Sequence, residues 1–310
     1  MSSSSEQAVL YRWRVLVTGG TGGIGYQTAR ALARRGAQLI ITGRDADAGE
    51  RAAAAIRRES GQGSVSFLQA DHATVAGNQQ LAEQVRADFP DLNVLVNNVG
   101  GLYGTRWETA DGYEATLAMN FLGPFTLTYE LLRLLQANAP ARCINVVSAA
   151  FRMWKGDPFR DLQSTQHFVS GDAYARAKLL NVLSSLAFAK WVSAEQVTVN
   201  LIHPGTAWTQ MTQSTTSQTM PAFRLVWPLL RFRQRIGSPE QAGRRVASLV
   251  ASPQAGAATG QYFEAKPTPK HLSGPESDPQ YQRRAWQLGC ELQAGAAQPS
   301  LVIAAGGRKE

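Results

Sequence analysis

Short runs of β-branched and aliphatic residues recur along the 310-residue chain, and between them apolar positions return every three to four residues. The first pattern predicts strands at 14–18, 38–42, 65–68, 94–97, 143–148 and 197–202, with a weaker one at 260–264. The second predicts helices at 24–35, 46–59, 78–89, 112–138, 172–192 and 239–251. Asp45 and Ser238 are placed to start helices, and Gly36 and Gly61 to stop them. Strands alternating with helices build parallel βαβ units, so the expected fold is α/β, one doubly wound domain over 12–265 on a seven-stranded parallel sheet. Residues 1–11 are expected to be a disordered tail. Residues 266–310, rich in Pro, Gly, Gln and Ala, read as a C-terminal extension that wraps the surface and frays. The segment 209–237 breaks the alternation.

With 44% hydrophobic and 17% charged residues, the chain can bury a substantial core. The net charge of +8 raises a nucleic-acid partner, yet the basic residues are spread through predicted helices, at Arg30, Arg34, Arg35, Arg57 and Arg58, with no aromatic-interleaved patch. No nucleic-acid partner is expected. Cys143 and Cys290 have neither disulfide nor zinc-ligand spacing, so no metal is expected and a reducing, cytoplasmic setting fits. No run of 18 apolar residues occurs, and the first residues lack the basic start and apolar stretch of a signal peptide.

The run Thr18-Gly19-Gly20-Thr21-Gly22-Gly23-Ile24-Gly25 follows a predicted strand and opens a predicted helix. Glycine lets its backbone approach a pyrophosphate, while the helix N-terminus offers N–H groups and a favourable dipole. About twenty residues on, a NAD site carries an acid for the ribose 2′-hydroxyl. This chain reads Thr42-Gly43-Arg44-Asp45. With Gly43 in the acid's place, Arg44 can meet a 2′-phosphate, which makes NADP(H) the expected cofactor and NAD(H) the alternative. Arg44 also reads as a solvated loop residue, and Asp45 as a helix cap.

Tyr174 and Lys178 stand four apart, on one face of a predicted helix. A tyrosine of pKa ~10 needs a cation near its phenolate to work at neutral pH, and Lys178 is spaced to supply one. Ser148, ending a strand, can orient a substrate oxygen. Asn120 has two readings. It holds a water that relays protons to Lys178, or it is a buried side chain bonded to backbone at a helix irregularity.

These motifs, in this order and with Asn97-Asn98-Val99-Gly100 and His203-Pro204-Gly205, resemble the short-chain dehydrogenase/reductase family over most of the chain. The run from Met119 to Phe125, the run from Tyr174 to Asn181 and the gap of 26 between Ser148 and Tyr174 resemble its retinol-dehydrogenase-like branch. The resemblance implies a Rossmann-like enzyme that interconverts a carbonyl and an alcohol through a tetrad of Asn120, Ser148, Tyr174 and Lys178. It implies cofactor contacts from Gly19, Thr21, Gly22, Gly23, Ile24, Gly25 and Arg44. Asp71 and the adjoining His72 would lie near the adenine, and Asn97, Asn98, Val99 and Gly100 beneath the ribose. Tyr174 and Lys178 would adjoin the nicotinamide half, with Pro204, Gly205, Thr206 and Thr209 beside the nicotinamide. A homodimer or homotetramer is implied as well. Val99, Ala177 and His72 stand where the family usually carries alanine, serine and an aliphatic residue, which leaves the substrate open.

Phe151, Trp154, Trp208, Phe223, Trp227 and Phe232 gather near the inferred site in sequence, pointing to a bulky apolar or aromatic substrate, though each also reads as a core residue. His203 and His167 read as structural. Within 221–235, Phe223, Val226, Trp227 and Leu230 recur at helical spacing among Arg224, Arg231 and Arg235, with a break near Pro228. This reads as a helical substrate lid, with a membrane-surface element as the alternative. The rival functions are a membrane-surface retinoid or lipid dehydrogenase and a non-catalytic dinucleotide-binding sensor or scaffold.

Overall fold

A computed structural model describes residues 12–61, 64–205, 237–266 and 268–296. Thr206, Trp208, Thr209, the expected lid at 209–237 and the tail 1–11 lie outside these, apart from Gly237. The strands are β1 (Arg14–Val17), β2 (Gln38–Gly43), β3 (Val65–Gln69), β4 (Val94–Asn97), β5 (Ala141–Val146), β6 (Val197–His203), β7 (Tyr262–Glu264) and β8 (Pro269–Lys270). They form one sheet in the order β3-β2-β1-β4-β5-β6-β7-β8, parallel except for β8, which runs antiparallel to β7.

The helices are α1 (Gly23–Ala33), α2 (Ala46–Ser60), α3 (Val75–Asp88), α4 (Ala115–Leu117), α5 (Gly123–Ala137), α6 (Ser170–Trp191), α7 (Pro239–Ala251), α8 (Pro253–Ala257) and α9 (Pro279–Ala296). Alternate strand residues feed two cores. Val15, Val17, Leu39, Ile41, Val96 and Ile144 pack under α1, α2 and α7, while Leu16, Ile40, Leu95 and Cys143 pack under α3, α5 and α6. Burial on both faces explains the nearly unbroken apolar strands. The Asp45 carboxylate accepts from the Ala48 amide at 2.9 Å and the Ser238 hydroxyl from the Gln241 amide at 3.1 Å, so both expected caps form. Gly61 closes α2 in the left-handed region at φ 62°.

Three expectations change. The sheet has an eighth strand, because Pro269–Lys270 turns back along β7, and two residues are too few to show an alternating pattern. The helix expected at 112–138 is interrupted by a π-helical turn at Ala118–Leu122. Pro124 has no N–H to give the carbonyl of Asn120, four residues back, and the Asn181 amide fills that place at 2.7 Å. The extension beyond 265 does more than wrap the surface, since α9 covers the apolar side of α6. Its Trp286 ring centroid lies 4.5 Å from that of Phe188 and 4.2 Å from that of Trp191. Gly289 lets α9 come close to α5 as well, because a Cβ there would stand 2.5 Å from the Phe125 ring.

Candidate active site

The strand order reverses between β1 and β4, and in such sheets a crevice opens beyond the carboxyl ends of that pair. Two loops meet there. The Thr18 hydroxyl accepts from the amides of Asn98 and Val99 at 2.9 and 3.0 Å, and the Asn98 side chain donates to the Thr18 carbonyl at 2.9 Å. A Cβ on Gly25 would overlap the Gly19 carbonyl, and one on Gly19 would stand 2.9 Å from Val99 Cγ2, so the glycine spacing is dictated by this closure. Gly22 has open space around it and caps α1 without a side-chain acceptor, which leaves the first-turn N–H groups to an anion. The residues present therefore fit a dinucleotide pyrophosphate.

At the end of β2, a Cβ on Gly43 would press to 2.5 Å from Thr21 Cγ2, so the threonine of the turn occupies the space an acidic side chain would need. Arg44 is exposed and makes no ion pair among the described residues. Asp71 is also exposed, and its carboxylate accepts from the Ala73 amide at 3.0 Å. Two residues expected against the cofactor turn away from it. His72 is 5% exposed and lies beneath the turn, bonded to Thr42 and Asn78. Asn97 is buried, its amide donating to Thr128 and Asn145 at 2.8 and 2.9 Å, because the last residue of β4 points into the core. Asn98, Val99 and Gly100 are what that run offers the crevice.

Ser148 lies just past β5 and starts a 3₁₀ turn at Ala149–Met153, its hydroxyl accepting from the Ala150 amide at 3.3 Å. Across from it, α6 carries Tyr174 and Lys178, 8% and 3% exposed. Burial pushes the Tyr174 phenol up to about 12, against the opposing pull of a hydrogen bond with Ser148. Burial also brings the Lys178 ammonium down to about 8. Its Nζ lies 5.8 Å from the Tyr174 ring centroid and donates to the Val146 carbonyl at 3.4 Å. The expected lowering of the tyrosine by the lysine is not seen here: burial raises the phenol and Ser148 alone opposes it.

Asn120 sits in the π-helical turn, donating to the carbonyls of Gly101 and Thr116 at 2.7 and 2.9 Å and accepting from the Gly101 amide at 3.2 Å. Its side chain matches the reading of a buried asparagine at a helix irregularity. Gly100 lies where the segments of this site meet, since a Cβ there would stand 2.9 Å from Asn120 Oδ1 and 3.2 Å from Lys178 Nζ. Beyond β6, Gly205 has φ 96°, and Arg245 of α7 donates to the Pro204 carbonyl at 2.8 Å.

Several contributors escaped the sequence reading. Arg176, between Tyr174 and Lys178, donates to the carbonyls of Arg160, Asp161 and Leu162 at 3.1, 2.6 and 3.0 Å and to the Ser164 hydroxyl at 2.6 Å. It clamps a loop in which Asp161 and Ser164 hold positive φ of 46° and 50°. A basic residue in a helix otherwise built of buried positions was the available signal. Tyr103 and Trp107, with ring centroids 5.2 Å apart, follow Gly100-Gly101 and were not singled out. Phe151 is a core residue, 1% exposed and packed on Tyr262, while Trp154 lies under the Arg176 guanidinium.

Residues 14–220 match the short chain dehydrogenase family. Human retinol dehydrogenase 12 is 41% identical over 191 residues, which span 62% of this chain and 60% of the relative's length. Human retinol dehydrogenase 13 is 33% identical over 294 residues, 93% of this chain and 86% of the relative. Among solved structures, a Pseudomonas aeruginosa RhlG/NADP active-site complex superposes with a TM-score of 0.64 at 29% identity, covering 82% of this chain and 95% of that one. With its parallel sheet, its closed glycine turn and its buried Tyr174 and Lys178 beside Ser148, this chain belongs to the short-chain dehydrogenase family, in the branch of its retinol dehydrogenase relatives.

Proposed function

We propose that the chain is an NADP(H)-dependent oxidoreductase that interconverts a carbonyl and an alcohol on a bulky, apolar substrate. The observation that carries this reading is the placement of the Ser148–Tyr174–Lys178 group beside a glycine turn in which Gly19 and Gly25 admit no side chain. The nicotinamide, when bound, supplies or takes the hydride. Gly22, Gly23 and Ile24 at the start of α1 would hold the pyrophosphate, and Arg44 a 2′-phosphate. The Ser148 hydroxyl orients the substrate oxygen. Tyr174, held protonated by burial, is in the state that gives its phenolic proton to a carbonyl oxygen. Lys178, pressed between Gly100 and the tyrosine ring, stabilises the phenolate once the proton has left and meets the ribose. The clamp of Arg176 holds the loop 160–164 against the helix that carries Tyr174 and Lys178. The similar structure solved as an NADP complex supports the cofactor, and the retinol dehydrogenases support an apolar alcohol or aldehyde.

A panel of carbonyls and alcohols, followed by nicotinamide absorbance with NADPH and NADH, tests the reading directly. Tyr174→Phe should lower turnover by about 10² to 10⁴-fold with dinucleotide affinity within about threefold of wild type. A Tyr174→Phe rate within about threefold of wild type would remove the tyrosine from the chemistry.

A further inference from the structure

Beneath the glycine turn, four groups from four chain segments stand in single file. The Gly19 amide donates to the Thr42 hydroxyl at 3.3 Å, Thr42 Oγ1 lies 2.7 Å from His72 Nε2, and His72 Nδ1 lies 2.8 Å from Asn78 Oδ1. Thr42, His72 and Asn78 are all buried. The Asn78 amide donates to the carbonyls of His72 and Thr74 at 3.3 and 2.6 Å, which commits both its hydrogens and turns its oxygen toward the ring. The network therefore assigns the proton of His72 to Nδ1, leaving Nε2 to accept from the Thr42 hydroxyl, whose lone pair in turn receives Gly19 N–H. Each donor finds an acceptor in one direction only. Burial holds the imidazole pKa below its ordinary value, in keeping with a neutral ring, while the hydrogen bond with Asn78 and then the charge of the preceding Asp71 oppose that shift.

Residue 42 holds the turn twice, since its carbonyl also accepts from the Gly20 amide at 2.9 Å. Gly19 sits at φ 64°, and among the described residues its amide has only the threonine hydroxyl for a partner. At the other end, Gly123 at the start of α5 lets the His72 backbone pass close, because a Cβ there would overlap the His72 carbonyl. The dinucleotide turn is thus tied through one imidazole to β2 and to α3, and the backbone of the same residue passes close to the helix that follows Asn120.

We propose that His72 is a positioning residue for the dinucleotide: as a neutral Nδ1–H imidazole it orients the Thr42 hydroxyl onto the Gly19 amide and so presets the glycine turn for the pyrophosphate. The proposal rests on the dinucleotide reading above. It replaces direct contact between His72 and the adenine with action at a distance through Thr42.

The test is fluorescence titration of NADPH and NADH with wild type, His72→Asn, Thr42→Val, Thr42→Ser and the double variant His72→Asn/Thr42→Val, with thermal unfolding of each. Asparagine keeps a donor for Asn78 but cannot reach Thr42, valine keeps the shape of threonine without its hydroxyl, and serine keeps the hydroxyl. His72→Asn and Thr42→Val should each weaken both dinucleotides about tenfold, the effect of one buried hydrogen bond. The double variant should be within about twofold of either single, since both break one relay. Thr42→Ser should recover most of the affinity, and kcat at saturating dinucleotide should change less than KM for it. Wild-type affinity in His72→Asn, or additive losses in the double variant, would overturn the relay. If His72→Asn does not fold, Thr42→Val decides, and unchanged affinity there overturns it. Wild type that binds neither dinucleotide would instead defeat the oxidoreductase reading, and the relay with it.

Discussion

Replacing Lys178 by methionine should stabilise the dinucleotide-free protein while disabling it. The ammonium is 3% exposed, its hydrogen bond among the described residues is the 3.4 Å contact with the Val146 carbonyl, and burial brings its pKa from 10.5 to about 8. At about 1.4 kcal/mol per pH unit, that drop corresponds to roughly 3 kcal/mol disfavouring the charged form in the fold. Methionine is close in volume and leaves the packing in place. Below pH 8 the folded and unfolded states both hold the proton, so the folded protein bears the full cost. Between 8 and 10.5 the unfolded lysine keeps a proton that the folded one has released, and wild-type stability rises with pH. The variant lacks that rise. It should therefore exceed wild type by about 2 to 3 kcal/mol at pH 7, or about 4 to 10 °C in Tm for a domain of this size. The advantage should shrink toward zero near pH 10. Thermal unfolding of both proteins across this range measures the difference, with turnover and dinucleotide titration alongside, both of which should fall. A variant that melts at or below wild type at pH 7, or an advantage that does not change with pH, would refute the reasoning.

Arg44→Ala should weaken NADPH by about ten to over a hundredfold and spare NADH, because a charge-assisted contact to a 2′-phosphate is worth about 1.5 to 3 kcal/mol; equal losses in a binding titration would make Arg44 merely structural. Gly100→Ala should drive its new methyl against Asn120 Oδ1 and Lys178 Nζ, 2.9 and 3.2 Å from the Cβ position, and lower turnover by about 10²-fold through misplacement. Steady-state rates beside a circular-dichroism melt check this, and a rate within about threefold of wild type would show that the loop yields without moving the site.

The strands up to β6 were legible because a doubly wound sheet buries both faces, so each strand is an apolar run bounded by polar or glycine positions. Asp45 and Ser238 were legible because capping is local chemistry. Tyr174, Lys178 and Ser148 were readable as a group by spacing, as the first two share a helix and Ser148 follows a strand. What stayed hidden depends on direction. Nothing in the order Asp71-His72 says that one side chain meets solvent while the next turns under the glycine turn. Asn97 and Asn98 divide in the same way, by the alternation of a strand end. Pro124 did carry a signal for the interruption at Asn120, since a missing N–H frees the carbonyl four residues earlier, but its new partner, Asn181, comes from another helix. The helix α9 was masked by a composition that reads as irregular, with Pro275 before it, Pro279 at its first position and Gly289 and Gly295 within it.

The docking of α9 on α6 sets a schedule for synthesis. Phe188 and Trp191 emerge from the ribosome about a hundred residues before Trp286, the ring that covers them. At about 5–20 residues per second, the apolar side of α6, the helix that carries Tyr174 and Lys178, waits on the order of 5–20 s for its cover. That helix is therefore among the last parts of the molecule to be enclosed.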